Sequence, residues 1–310
     1  MNGLLIIDKP PGITSHDVVA EVRRILRVRR VGHTGTLDPF ATGVLVILVG
    51  VATRLAQFLS GVDKQYDAIF RLGAATDTGD VTGRITEQVP LRPDQWSTEA
   101  IESALGHLRG EIDQVPPMYS AKKQGGQKLY ELARQGKEIE RQPVRVRIHR
   151  FESVANGDEL LKDNQDGTLD LRVTVSCSSG TYIRALAEDF GKQIAAPAHV
   201  AELRRTRVGD FALAQAKTLD ELKVAAAEER LGRVLQSPDE AVSRFAAVDL
   251  NVESVKKIQN GVAIEVSAHE FADGDHVRLR NDHGKLIAVA RFDAGASLLR
   301  PAVVLARTAE

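Results

Sequence analysis

Residues 32–50 read GHTGTLDPFATGVLVILVG. The second half settles the first question of fold. Val44 to Val49 form an unbroken apolar run, which reads as a strand buried on both faces, inside a sheet covered from both sides. The first half is a loop of small residues carrying one carboxylate, Asp38, followed by a proline. Ahead of it, EVRRILRVRRV (21–31) places five Arg between positions 23 and 30. A lone carboxylate between a basic helix and a buried strand is either local turn chemistry or a reacting group.

Near the N-terminus, GLLIIDKPPG predicts a short buried strand over Leu4–Ile7 and a tight turn. Val18, Val19, Val22, Ile25 and Leu26 recur at helical spacing, so 16–27 is an amphipathic helix with Ser15 as its N-cap. The pattern gives a helix over 52–60, a strand in KQYDAIFRLG, and a polar loop over 73–84. It then gives a helix over 98–109 and a short helix ending at Gly136. Residues 144–150 and 169–177 alternate as strands, joined by a polar hairpin loop over 156–168. Residues 181–194 and 198–206 read as helices, and 211–244 as a helical connector. Short strand candidates split by DGD and NDHG turns fill 263–305, which suggests a small all-β unit beginning near Phe245.

The 310 residues suit one large domain or two smaller ones. A single Cys forms no internal disulfide, and no apolar segment reaches the length of a membrane span or follows a basic leader, so a cytoplasmic protein is expected. Cys177 reads as a small buried hydrophobe. No H-x-x-x-H and no G-x-x-x-x-G-K-[ST] occurs, so neither a metal site nor a phosphate-binding loop for nucleotides is indicated. The D-T-G triplet at 77–79 matches the aspartic protease signature, but it stands once and without apolar flanks. Arg184 falls in the first turn of its helix, a poor place for a cation unless a carboxylate faces it. Arg clusters at 23–30, 141–150 and 204–207 in a chain of net charge −1 favour a basic stripe for phosphates.

In their order, GLLIIDKPPGITSHDVV, RRVGHTGTLDPFATGVLVILVGVATR, KQYDAIFRLGAATDTGDVTG, VPPMYSAKKQGGQKLYELAR, VSCSSGTYIRALAEDFG and HVAELRRTRVGDFALAQAKTLDEL resemble the bacterial TruB family of tRNA pseudouridine synthases, from residue 3 to about 235. The segment with DGDHVRLR, GKLIAVARF and LLRPAVVL resembles a PUA domain, a small RNA-binding β-barrel. The resemblance implies an α+β pseudouridine synthase fold over 1–245, with a central mixed, mainly antiparallel sheet flanked by helices, and a PUA-like unit over 246–310. It implies isomerisation of uridine 55 in the TΨC loop of tRNA to pseudouridine, by a monomer that needs no cofactor, metal or protein partner. Asp38 matches the family's catalytic aspartate and Tyr66 the tyrosine that packs on the target base. Arg184 matches the arginine paired with the carboxylate, and Leu203 an apolar pocket residue. His33 matches a contact to the distorted T-loop, and Lys9 a lysine beneath the active site. Phe40 stands where many members carry Leu or another aliphatic residue. Asp38 would serve as a nucleophile at C1′ or as a base at the sugar 2′ position. Two other readings remain at this stage: a tRNA-folding protein with a dispensable isomerase, and the related catalytic subunit that works with guide RNA.

Overall fold

In a computed structural model of the chain, residues 1–120, 122–124, 127–129, 139–155, 159–266 and 271–305 are described. The short helix expected to end at Gly136 lies outside them. Eight strands make most of the main sheet: β1 (Gly3–Lys9), β2 (Val31–Thr34), β3 (Thr42–Val49), β4 (Lys64–Leu72), β5 (Gly110–Gln114), β6 (Val144–Ser153), β7 (Leu169–Cys177) and β8 (Ala198–Val208). Two short strands, Leu161–Asp163 and Phe211–Ala212, extend it. The order is β1-β3-β8-β4-β7-β6-β5, and every pair is antiparallel except β3 with β8.

That parallel seam positions the site. One edge of β3 pairs with β1 along its length. The other edge is divided: β2 takes Val46–Val49, and β8 takes only Thr42 and Gly43. The chain leaves β2 in this gap and passes through residues 35–41 before returning as β3. Gly43 is required where the strands meet. Its φ is +100°, and a Cβ there would stand 2.2 Å from the Arg205 carbonyl oxygen.

Both faces of β1 and β3 are covered, as the apolar runs predict. Leu5, Ile7, Leu45 and Ile47 face helix α1 (Ser15–Leu26) through Val18, Val19 and Val22. Leu4, Ile6, Val44 and Val46 face the opposite way. On β7, Leu169, Leu171, Val173, Val175 and Cys177 are all buried, against α2 (Thr98–His107) and α3 (Ile183–Gln193) on one side of the sheet. Cys177 is inert there, its thiol pushed up to about 11 by burial.

Several expectations need correction. The helix read over 198–206 is β8, between β3 and β4 in the sheet. Two bulges, at Val200/Glu202 and Arg205/Arg207, break its two-residue alternation, so the inward residues Val200, Leu203 and Val208 mimic helical spacing. The N-cap of α1 is Thr14, in a capping box with Asp17, and Ser15 is buried. The 52–60 segment is mostly a tight 3-10 turn over Gly50–Leu55, with one α-turn at Ala56–Leu59. The 73–84 loop opens with a strand, Ala74–Thr76, paired to Ile85–Gln88. The 211–244 connector holds one α-helix, Leu219–Ala227, together with short 3-10 turns.

The C-terminal strands, Ala246–Leu250, Ile264–Glu265, His276–Asn281, Leu286–Asp293 and Leu298–Val304, form a separate five-stranded sheet. It has its own core around Val277, Leu279 and Phe292. Its outer residues Leu286, Val289, Val303 and Leu305 join Val46, Leu48 and Phe58 in a second core shared with the main sheet. Among the described residues, no helix is long and apolar enough to cross a membrane.

Candidate active site

The loop over 35–41 is held from below and from both sides. Ser15 Oγ accepts the Leu37 N–H at 2.9 Å and donates to the Leu37 carbonyl at 3.2 Å, which ties the loop to the start of α1. The Gly12 N–H donates to Pro39 O, and the Ala41 N–H to Asp38 O. Lys9 is wholly buried, and its Nζ donates to the carbonyls of Pro10 (2.8 Å), Pro39 (3.1 Å) and Ala41 (2.7 Å). Burial pushes its pKa down to about 8, against the opposing pull of Asp38. Lys9 therefore acts on the loop through backbone carbonyls and does not line the cleft above it.

Asp38 stands at the crest of this loop, with 34 % of its side chain open. Its Oδ2 meets Arg184 Nε at 3.0 Å, so a carboxylate does face the cation in the first turn of α3. The Arg184 side chain is 4 % exposed. Its Nη1 donates to Thr78 O at 2.8 Å and its Nη2 to Tyr119 O at 2.7 Å. Burial pushes the Asp38 carboxyl above its ordinary range; Arg184 opposes that shift, and nearby Asp80 adds to it.

Asp80 was missed in the sequence, where the TDTGD stretch read as a polar loop. It is buried, with Oδ2 3.5 Å from Arg184 Nη1 and Oδ1 accepting from Thr78 Oγ1 and from the Thr82 N–H. Backbone bonds between Gly79, Val81 and Val200 pin this loop to β8. One guanidinium thus lies between two carboxylates. Asp77 instead accepts the Arg84 N–H within its own turn, which removes the protease reading of D-T-G.

Asp38, Tyr66, Arg184 and Leu203 line one cleft of about 330 Å³, with Lys64, Tyr182 and Arg205. That volume lies in the range of small-ligand pockets. Tyr66 and Leu203 come from neighbouring strands and are 6 % and 8 % exposed. Burial pushes the Tyr66 phenol up, and Arg205 opposes the rise. Tyr182, at the N-cap of α3, is a second cleft aromatic that helical periodicity did not mark. His33 lies on β2 outside the cleft, edge-on to His16 at 5.3 Å between ring centroids. Burial and the nearby positive groups hold it down to about 4, so its ring is neutral at physiological pH.

The basic segments prove mixed. Arg205 is buried, while Arg204 reaches Asp8 at 2.6 Å. Arg24 pairs with Glu21, Arg145 with Asp113 and Arg150 with Glu152. Much of the Arg content is thus engaged within the fold, and a phosphate track can draw on only part of it.

Residues 23–183 match the profile of the TruB family pseudouridylate synthase N-terminal domain, and 184–243 that of the tRNA pseudouridylate synthase B C-terminal domain. The chain is 40 % identical over 311 residues to tRNA pseudouridine synthase B of Bacillus pumilus, covering 99 % of this chain and 98 % of that one. It is 42 % identical over 306 residues to tRNA pseudouridine synthase B of Mycobacterium tuberculosis, covering 97 % of each. Among solved structures, a Cbf5-Nop10-Gar1 complex superposes with a TM-score of 0.73 at 24 % identity, over 98 % of this chain and 85 % of that one. At that identity the likeness speaks for the fold.

Proposed function

Because the chain belongs to the TruB family of tRNA pseudouridine synthases, we propose that it isomerises uridine 55 in the TΨC loop of tRNA, with Asp38 as the catalytic carboxylate. The observation that carries this reading is the Asp38–Arg184 pair at the mouth of an aromatic-lined cleft. Arg184 holds Oδ2, and a third of the carboxylate side chain stays open in the cleft lining.

The target base must first leave its stack, at a cost of a few kcal/mol that is smallest in looped RNA. Stacking on Tyr66 returns ~1–3 kcal/mol. The N1–C1′ bond then breaks, its electron pair staying on the uracil, while Asp38 attacks C1′ or takes a proton from C2′. The base turns within the cleft and C5 bonds to C1′. The proton lost from C5 balances the one taken up at N1, so substrate and product are isomers. Arg184 opposes the effect of burial on Asp38 and so favours its ionised form. The C-terminal sheet is assigned to holding tRNA away from the reacting loop. Relatives of 40–42 % identity over nearly their whole length carry the tRNA enzyme's name, which favours tRNA over a guide-RNA substrate.

The test is incubation of the purified protein with an unmodified tRNA transcript, followed by mapping of pseudouridine. A single product at position 55 supports the reading. No product, or product elsewhere, overturns it.

A further inference from the structure

Among the described residues, Arg205 has the largest fully buried side chain, at 1 % exposure. A buried cation is costly unless it is paired and hydrogen-bonded, yet Arg205 forms no ion pair among those residues. Its guanidinium occupies the gap on β3 between β2 and β8. Nε donates to Val44 O at 2.7 Å, a carbonyl that lies between the stretches of β3 taken by β2 and β8. Nη2 donates to Gly35 O at 2.9 Å, and Nη1 lies 3.5 Å from Thr36 O, both in the loop that carries Asp38. On β8 Arg205 stands opposite Tyr66 of β4, and both side chains line the cleft.

We infer that Arg205 is a positioning residue for the isomerisation: one buried guanidinium ties the Asp38 loop to β3 beside Tyr66 and so fixes the carboxylate against the base platform. The inference rests on the isomerase reading above. A guanidinium suits this task because its five donors form a rigid planar fork; an ammonium is a point charge with a shorter reach. The contacts run to backbone carbonyls, so the loop can carry small side chains and still be held. The unpaired charge beside the cleft also opposes the upward push of burial on the Tyr66 phenol.

A residue that only filled the sheet gap would affect stability alone. A positioning residue must act on the chemical step. Single-turnover rate and tRNA affinity are measured for wild type, Arg205→Lys and Arg205→Gln. Arg205→Lys should lose about 100-fold in rate, the scale expected from a misplacement of about 1 Å, with affinity held near the wild-type value. A near wild-type rate for folded Arg205→Lys, or a loss of affinity with the rate unchanged, overturns the inference. If Arg205→Lys does not fold, Arg205→Gln decides, because its amide keeps N–H donors for the loop carbonyls without a buried charge: a slowed rate at unchanged affinity supports the inference, and an undiminished rate overturns it. An inactive wild type defeats the isomerase reading itself, whereas an active wild type with an undiminished variant defeats only this inference.

Discussion

Replacing Arg184 by lysine keeps the charge and removes the fork. In the native site the guanidinium reaches Asp38 at 3.0 Å, Thr78 O at 2.8 Å and Tyr119 O at 2.7 Å, with Asp80 at 3.5 Å. These acceptors are spread around one plane, and a single ammonium cannot meet all of them. A charge-assisted hydrogen bond of this kind contributes about 1.5–3 kcal/mol. At about 1.4 kcal/mol per factor of ten, its loss at Asp38 alone slows the reaction roughly 10- to 150-fold. A second effect follows in pH. Arg184 is the main group opposing the upward pull of burial on Asp38. With that opposition weakened, the folded-state pKa of Asp38 rises further, and the active carboxylate is lost at a higher pH as pH falls. The assay is the single-turnover rate on an unmodified tRNA transcript across a pH series. Arg184→Lys should be slower at every pH, with its acid limb displaced upward. A rate within about threefold of wild type and an unmoved acid limb would refute the reasoning, leaving Arg184 as a source of bulk charge.

Lys9 gives a pH signature of opposite sign in two measurements. Its folded pKa of about 8 lies below the ordinary 10.5, so the energetic penalty is full below about 8 and is relieved as pH rises toward 10.5. Stability of wild type relative to Lys9→Met, measured by denaturant unfolding, should therefore rise over that window. The single-turnover rate should fall over the same window, because a neutral amine has two N–H groups for the three carbonyls it now holds; a flat rate would mean that the loop does not depend on the ammonium. Deleting residues 246–310 should lower the melting temperature by about 10 °C or more, since it uncovers Val46, Leu48 and Phe58. An unchanged melting temperature by calorimetry would show that the shared core contributes little.

Apolar runs and strict alternation made much of the fold legible. Val44–Val49 announced a strand covered on both faces, and the inward set on β7 was read correctly to the residue. β8 was not legible, because two bulges shift its inward residues off the two-residue period. Of the site, Asp38 and Arg184 stood out from local context, one as a lone carboxylate among small residues and the other as a cation at a helix start. Asp80 and Arg205 did not, because their meaning is tertiary. Asp80 lies within a stretch that reads as a polar loop, and Arg205 within RRTR, which reads as part of a basic stripe for phosphates. Only the sheet order shows that one faces Arg184 and that the other plugs the seam between β3 and β8. A buried polar residue flanked by exposed ones of the same type leaves no mark in composition or periodicity.

In the proposed reaction Asp38 carries the chemistry. Asp38→Asn keeps the shape of the side chain and removes the carboxylate, so the direct measurement is pseudouridine formation at position 55 under single-turnover conditions, with tRNA affinity measured on the same protein. The account predicts no detectable product and near wild-type binding. Measurable turnover by Asp38→Asn would contradict it.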